Sequence, residues 1–367
     1  MRPYWDNCVA HFDDRVETFV SEYFSDPARK CFFVAAAGFD PRSHHIARML
    51  SATLGDRVTG LFVREERGTP AAALVAAADE NEAELCKIMP HSTVVPIAMF
   101  GDDEAPVGGA RIASVLAGYD VADGVTDVIL DMSALSIGIG FPAARILLEG
   151  SEKAGSRSFH LMIASDPDLD DLISSEPGDR PMAIRGFSGT AHLSGTLPVA
   201  KMWVPQLAKG RGSALDVISS SVGDCYKICP MVPFPAKDPR RADTLLAEHQ
   251  SRLVDEWLVD SRDLVYVSER NPLDTYRTLS TLTRRFNETV KDVFDAQIFL
   301  SPIGSKVMAA GALMAAIEHE LTVQYLETVR YEFSSTHGPA QKPQVVHLLL
   351  SGPAYGGYST PDPDAPK

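Results

Sequence analysis

The chain has 367 residues, which is enough for two domains of ordinary size, and 45% of them are hydrophobic, which is ample for a folded core. Its formal net charge of −15 excludes a globally basic surface of the kind that binds nucleic acid or anionic membranes directly. The five cysteines are scattered and no apolar run reaches about 18 residues, so we expect no disulfide framework, no metal site, no transmembrane helix and a cytoplasmic location.

The first part of the chain alternates short apolar runs with longer helical patterns. Residues 1–29 are interpreted as a helical lead-in, because "DRVETFVSEYF" places Val16, Phe19 and Val20 on one helix face. The strands predicted after residue 30 are "CFFVAAAG", "VTGLFV", "TVVPIAMF", "DVILDMS" and "SFHLMIAS". Helical runs lie between them, as is typical of a parallel sheet, and we predict a Rossmann-like domain over residues 30–165.

The second part of the chain repeats this alternation. Residues 166–200 are rich in Asp, Gly, Pro and Ser and are interpreted as a junction. The strands predicted over residues 201–352 are "AKMWVPQL", "CYKICPMVPF", "DLVYVS", "AQIFLSP", "LTVQYLE" and an edge strand, "QVVHLLLSG", which is expected to be antiparallel. A flexible tail follows over residues 353–367. The predicted fold is therefore α/β, with two tandem Rossmann-like units and mainly parallel sheets.

One stretch in the first half of the chain resembles one stretch in the second half. "VILDMSALSIGIGFPAARILLEG" and "IFLSPIGSKVMAAGALMAAIEH" both consist of an apolar strand, a loop with hydroxyl groups, a glycine and a small-residue helix. A duplication explains this likeness, and so does the general similarity of α/β sheets.

Ligands of open parallel sheets bind beyond the carboxyl ends of the strands, where helix N-termini favour phosphate. In the first such loop, "GFDPRS", Gly38 is expected to adopt an unusual backbone angle, and Asp40 to cap a helix that begins at Pro41. Arg42 then either grips a phosphate or carboxylate or is merely solvated.

Two further loops carry polar residues after an apolar strand. Asp131 ends the strand "VILD" and Ser133 follows it; a carboxylate at such a point holds a sugar hydroxyl, a metal or a neighbouring loop. Glu269 and Asn271 follow "VYVS"; they are candidates for the ligand site, and the alternative role of Asn271, which the pattern favours, is to cap the next helix.

The loop "SPIGSK" carries the clearest indication of a ligand site. Ser301 and Ser305 supply hydroxyl groups, and Gly304 allows close approach of the backbone to a ligand. Lys306 begins a helix, where a cation is unfavourable unless an anion balances its charge. We therefore predict a phosphate or carboxylate ligand at this loop.

Residues 295–327 resemble the signature element of the Rossmann-like CRISPR-associated sensor domains known as CARF. In many of those domains a strand precedes Thr-Gly-Gly-Thr-Lys, or a variant of it, and a small-residue helix. Here Ser305 and Lys306 are retained, whereas Pro302 and Ile303 replace residues of the usual pattern. The resemblance implies a cyclic oligoadenylate or related nucleotide as ligand, a homo-oligomer, and a role in prokaryotic anti-phage defence.

Three functions remain open at this stage. The first is a nucleotide-binding or nucleotide-sensing protein that acts through partners such as an operon-encoded effector, since no nuclease, protease or helix-turn-helix module is evident after residue 333. The second is an enzyme that acts on a nucleotide or phosphorylated metabolite with Asp40, Arg42 and Asp131. The third is a structural assembly subunit.

Overall fold

The computed structural model describes residues 5–189, 193, 195–333 and 342–355, which form two α/β units joined by a short junction. The strands up to residue 165 are β1 (Val9–Phe12), β2 (Cys31–Ala36), β3 (Val58–Glu66), β4 (Ser92–Ala98), β5 (Asp127–Asp131) and β6 (Ser158–Ser165). The helices of this part are α1 (Asp14–Tyr23), α2 (His45–Leu54), α3 (Ala72–Ile88), α4 (Gly108–Gly118) and α5 (Ile137–Ala154).

The junction contains α6 (Pro167–Asp170), β7 (Ile173–Pro177) and β8 (Met182–Ala183). The strands that follow are β9 (Val199–Pro205), β10 (Lys227–Ile228), β11 (Met231–Pro233), β12 (Val265–Val267), β13 (Asp295–Ser301), β14 (Thr322–Tyr325), β15 (Thr328–Phe333) and β16 (Gln344–Ser351). The remaining helices are α7 (Gly212–Val222), α8 (Arg241–Glu248), α9 (Pro272–Val290) and α10 (Lys306–His319).

The two units share one strand order. The sheet of the first unit runs β1-β16-β6-β5-β2-β3-β4, and β6, β5, β2, β3 and β4 are parallel. In the second unit β9 has β10 on one side and β13 and β14 on the other, all parallel, and β11 pairs with β12. A bridge between Gln206 and Met231 joins β11 to the end of β9. The predicted fold of two tandem Rossmann-like units is confirmed.

This shared order makes β5 the counterpart of β13, and α5 the counterpart of α10. In the first unit, β3 and β4 lie on one side of β2, and the chain then crosses to β5 on the other side. In the second unit, β10, β11 and β12 lie on one side of β9, and the chain then crosses to β13. The topological switch points therefore lie between β2 and β5 and between β9 and β13. The two stretches that resemble each other in sequence are therefore equivalent in topology.

The structure corrects four boundaries predicted from the sequence. β16 lies between β1 and β6 rather than at an edge, so this segment belongs to the first sheet and not to the second domain. Its antiparallel direction is confirmed, and its nearly complete burial explains why its apolar run does not alternate. The lead-in contains the strand β1, and β8 of the junction pairs with β14. Of the predicted tail, residues 353–355 form a short 3₁₀ turn, and residues 356–367 lie outside the described part.

A continuous hydrophobic core runs through both units, and α10 lies inside it. Residues 307–316 of α10 are all buried, which is why this helix is apolar on every side. A Cβ atom on Gly311 would lie 2.6 Å from Cβ of Thr275, so the small residues let α9 and α10 pack closely. Among the described helices, none is both long and apolar enough to cross a membrane.

Candidate functional site

A cavity of about 520 Å³ lies where the carboxyl ends of the strands of both units face each other. Its walls come from the loops after β2, β3, β5, β9 and β13 and from the two-stranded ribbon formed by β7 and β15. Its volume falls within the range of ordinary small-molecule sites. The fold thus brings the switch-point loops of the two units to one cavity.

Most of the residues predicted as a site line this cavity. The lining residues are Gly38, Asp40, Arg42, Ser133, Glu269, Gly304, Ser305 and Lys306. The predicted residues that do not line it are Asp131, Asn271 and Ser301. Segments that are far apart in the sequence are therefore close together in the fold, although Asp131, Asn271 and Ser301 have other roles.

Arg42 is a buried cation held between two carboxylates. Asp40 accepts hydrogen bonds from Nε and Nη2 of Arg42, at 3.0 and 2.7 Å, and Asp170 of α6 lies 2.8 Å from Nη2. Burial alone would lower the pKa of Arg42, but the two carboxylates outweigh it and raise the pKa, so the side chain stays charged. Its Nη1 atom is buried and has no hydrogen-bond partner among the described residues. One donor of this guanidinium is therefore available to a ligand.

The loop around Arg42 corrects one prediction and confirms another. Asp40 caps the turn that begins at Pro41, as predicted, by accepting a hydrogen bond from the backbone N–H of Arg42. Gly38 has no positive φ angle, so the expected unusual backbone is wrong. A Cβ atom at Gly38 would meet nothing within 4 Å, because the position faces open space.

Asp131 lies behind the cavity wall. It is 2% exposed, and its Oδ1 atom accepts hydrogen bonds from both the backbone N–H and the hydroxyl of Ser133. The Ser133 hydroxyl in turn accepts one from the N–H of Ala164, at 2.7 Å. Burial raises the pKa of Asp131 to about 7 despite these bonds. Asp131 therefore holds the loop after β5 in place. Of the roles that the sequence left open for Asp131, this is the structural one.

The N-terminus of α5 is occupied by carboxylates of the protein itself, a feature that the sequence analysis missed. Glu65 accepts a hydrogen bond from the backbone N–H of Ser136 at 2.7 Å, and Arg67 lies 3.0 Å from both Glu65 and Glu327. Glu327 is so close to Gly138 that a side chain there would overlap it. Burial raises the pKa of Glu327, although Arg67 opposes this. The anion position of the first unit is thus filled.

The N-terminus of α10 is arranged differently. The Ser305 hydroxyl caps the helix by accepting a hydrogen bond from the N–H of Met308 at 3.2 Å, and Nζ of Lys306 donates one to the carbonyl oxygen of Leu135. No carboxylate of the described residues lies within 4 Å of that ammonium group. Burial lowers the pKa of Lys306, although Glu65 and Asp170 oppose this. Within the described part of the chain, no carboxylate therefore fills the anion position of the second unit.

Position 304 requires a glycine because the side chain of Gln206 lies close to it, not because of its backbone angle. A Cβ atom there would lie 2.9 Å from Oε1 of Gln206, a side chain that is 2% exposed. The expected contact of the Gly304 backbone with a ligand is untested; the contact that the structure does show is with Gln206.

Basic residues outnumber acidic ones in the cavity wall, eight to six, although the whole chain carries a net charge of −15. The eight are Arg42, Arg64, Arg67, Lys209, Arg211, Arg241, Lys306 and Arg330. Within the described residues, all but Arg211 and Lys306 have a carboxylate within 4 Å. Arg211 immediately precedes α7, so the two cations without a carboxylate flank the switch point of the second unit.

Part of the cavity wall is apolar and aromatic. The ring centroids of Phe39 and Tyr331 lie 5.5 Å apart, and Pro70, Leu74 and Val75 also line the cavity. The guanidinium of Arg67 lies 4.9 Å from the centre of the Tyr331 ring. A ligand with a flat ring and an anionic group would match both the aromatic and the basic residues of the wall.

The three remaining predicted residues have local roles. The hydroxyl of Ser301 is buried and accepts a hydrogen bond from Nε1 of Trp203 at 3.0 Å. Asn271 caps α9 by accepting one from the N–H of Leu273 at 3.1 Å. Glu269 lines the cavity, accepts one from the N–H of Lys237 at 3.1 Å and has a pKa raised by burial. Within the described part of the chain, no group of three or more metal-ligating side chains is close enough to hold a metal ion.

No protein-family model and no curated protein matches the chain. One similar solved structure is a putative universal stress protein from Pseudomonas aeruginosa UCBPP-PA14, with 11% identity, 84% of this chain and 96% of that chain covered, and a TM-score of 0.23. Another is a cyclopropane-fatty-acyl-phospholipid synthase-like protein from Lactobacillus casei ATCC 334, with 10% identity, 91% of this chain and 88% of that chain covered, and a TM-score of 0.28. At these TM-scores neither structure informs the function of this chain.

Proposed function

We propose that the protein binds a phosphorylated small molecule, specifically a nucleotide, in the cavity between its two units and signals its presence to partner proteins. The observation that carries this proposal is the pair of cations at the switch point of the second unit. Arg211 and Lys306 line the cavity without a carboxylate within 4 Å among the described residues. Each stands at the start of a helix, where the partial positive charge favours an anion further.

Unpartnered polar atoms in the wall support the same proposal. Nη1 of Arg42, Oγ of Ser136 and Nε of Arg241 are buried and have no hydrogen-bond partner among the described residues. Each such atom costs about 1–3 kcal/mol, so proteins leave few of them without a reason. All three can donate a hydrogen bond, and a ligand that accepts several hydrogen bonds would satisfy them.

The aromatic residues of the cavity wall favour a nucleotide over a simple inorganic anion. Phe39 and Tyr331 offer ring faces or edges to a base, while Arg211 and Lys306 lie on the loops of the other unit. A nucleotide carries both chemistries in one molecule, and it would contact both units at once.

The resemblance of residues 295–327 to CARF domains supports a nucleotide signal and a role in prokaryotic anti-phage defence, with an operon-encoded effector as partner. In that family the corresponding loops meet across a dimer axis. Here two units of a single chain present their loops to one cavity. The enzyme alternative placed Asp40, Arg42 and Asp131 beside the ligand. Asp40 and Arg42 line the cavity but bind each other, and Asp131 lies behind the wall; the proposal therefore includes no catalytic step.

A thermal-shift panel tests the proposal directly. Mono-, di- and cyclic nucleotides are compared with the corresponding nucleosides, which lack phosphate. A ligand at 100 times its dissociation constant adds about 2.7 kcal/mol to the free energy of unfolding, which raises the melting temperature by several degrees. We expect at least one phosphorylated compound to do so and its nucleoside not to. Stabilisation by none of them would contradict the proposal, and mass-spectrometric conversion of the ligand would show catalysis instead.

A further inference from the structure

A chain of four titratable side chains crosses the first sheet, away from the cavity. Nε2 of His160 lies 3.0 Å from Oδ1 of Asp127, Nδ1 of His160 lies 2.9 Å from Nε2 of His347, and Nδ1 of His347 lies 3.0 Å from Nδ1 of His11. These residues belong to the neighbouring strands β5, β6, β16 and β1, one from each. We call this chain the histidine relay.

The hydrogen bonds of the relay have a single direction at neutral pH. Asp127 is held as an acceptor, because it also receives hydrogen bonds from Tyr23, Arg29 and Thr126. With one proton on each ring, His160 donates to Asp127 through Nε2, His347 to His160 through Nε2, and His11 to His347 through Nδ1. Burial, and next the neighbouring histidines, hold the pKa of His347 well below its ordinary value.

The closed relay has fewer positions for protons than the open one. Each of the three gaps between side chains holds one proton, and Nε2 of His11 is the single ring nitrogen outside those gaps. The closed relay therefore has four proton positions for three rings and takes up at most one added proton. When β1 and α1 leave the sheet, His160 and His347 stay bonded to each other and to Asp127, and together they take up one added proton, at Nδ1 of His347. The freed His11 takes up another, which makes two.

The segment Val9–Tyr23, which comprises β1 and α1 and is called the N-terminal segment here, covers the relay. Phe19 stacks on the rings of both His11 and His347, with centroid distances of 4.6 and 4.3 Å. Asp13 of the segment lies 3.0 Å from Arg270, just before α9, so the segment also links the first sheet to the second unit.

We propose that the histidine relay makes the docking of the N-terminal segment pH-sensitive, so that proton uptake below about pH 6.5 releases β1 and α1 from the first sheet and loosens their link to the second unit. Release is coupled to one proton, the difference between two and one. The equilibrium constant for opening therefore rises up to tenfold for each pH unit below this range.

The other charged and titratable groups that face the relay do not cancel this effect. They are Arg15, Glu22 and Tyr23 from α1, Arg29 from the loop before β2, and Cys31 from β2. Burial raises the pKa of Tyr23 to about 12 and also raises that of Cys31, so both stay neutral in this range. Arg15 and Arg29 remain cationic and oppose added protons in the closed state, whereas Glu22 is exposed to water.

Hydrogen exchange of the full chain between pH 7.5 and 5.0 tests the proposal. After correction for intrinsic exchange, peptides from the N-terminal segment should lose protection up to about tenfold per pH unit below pH 6.5, while peptides from α9 lose less. The double substitution His11→Phe and His347→Phe keeps the ring stack with Phe19 and removes the histidine pair that separates on release, so the pH dependence should disappear. His91→Phe, at an exposed histidine outside the relay, should leave the slope unchanged.

Equal slopes for the native protein and the double variant would overturn the proposal, as would equal loss of protection in α9. Should the double variant fail to fold, nitrogen-15 spectra of the native protein decide instead. At pH 7.5 they should show His160 and His347 protonated at Nε2 and His11 at Nδ1, with all three neutral. A cationic ring, or any other set of tautomers, would refute the relay.

Discussion

The ammonium group of Lys306 donates a hydrogen bond to the carbonyl oxygen of Leu135. Lys306 begins α10 in the second unit, and Leu135 lies just before α5, the equivalent helix of the first unit. A residue singled out as a ligand contact thus also joins the two units at the wall of the cavity.

The substitution Lys306→Met should destabilise the protein in the absence of ligand. Losing a hydrogen bond from a charged group costs about 1.5–3 kcal/mol, and removing a cation from a helix N-terminus regains about 0.3–1 kcal/mol. The net loss is roughly 1–2 kcal/mol, measured by urea denaturation. The helix dipole alone predicts a slight gain in stability, so an unchanged or more stable variant would show that the bond to Leu135 contributes nothing.

Arg67→Met should cost about 3–5 kcal/mol, because it leaves Glu65 and Glu327 buried without their shared cation. Adding Glu327→Gln to this variant should recover part of the loss, and equilibrium unfolding of the four proteins in a double-mutant cycle measures the coupling. Arg64→Met is the matched control. Arg64 lies on β3, three residues before Arg67, and has more exposed partners, Asp79 and Glu82, so its loss should cost no more than about 1 kcal/mol. Equal costs for the two arginines would contradict this account.

Asp131→Asn should change how stability depends on pH. Because burial raises the pKa of Asp131 to about 7, the folded protein binds one more proton than the unfolded chain between about pH 4 and pH 7. The stability contributed by the protonated group is therefore lost as pH rises through 7. The variant lacks this loss, so relative to the native protein it should gain about 3 kcal/mol between pH 4.5 and pH 8, as measured by chemical denaturation at each pH. A difference that does not vary with pH would mean that Asp131 is ionised throughout.

Two glycine substitutions form a matched pair. Gly304→Ala forces the buried side chain of Gln206 to move and should cost about 1–3 kcal/mol. Gly38→Ala enters open space at an ordinary backbone angle and should change the free energy of unfolding by less than about 0.5 kcal/mol. Thermal or urea unfolding of both variants compares them. If Gly38→Ala were the more harmful of the two, the packing described for the two loops would be wrong.

The fold was predictable because its strands are continuous apolar runs between helical patterns. β2, β5 and β6 are buried at every residue, and such runs are typical of central parallel strands. The position of β16 was not predictable, because pairing with β6 is a contact between residues far apart in the chain. The strand β1 has four residues and too short a pattern to be recognised.

The site residues that stand in a loop directly after an apolar strand were predictable from the sequence. Asp40, Arg42 and Lys306 stand at strand ends, where the pattern indicates ligands. Arg211 was missed, although it follows the first strand of the second unit as Arg42 follows that of the first. Glu65 and Glu327 were missed because their role depends on the N-terminus of α5, a segment distant from both in sequence.

The most direct test of the proposed function is calorimetric titration of the tightest-binding nucleotide of the panel into the native protein, the Arg211→Ala variant and the Arg285→Ala variant. Arg285 is an exposed residue of α9 outside the cavity, so its substitution removes the same charge from the chain. We predict that Arg211→Ala weakens binding about 10- to 100-fold, the range for a hydrogen bond to a charged group, and that Arg285→Ala leaves the affinity unchanged. Equal affinities of the two variants, or no binding of any nucleotide to the native protein, would contradict the account.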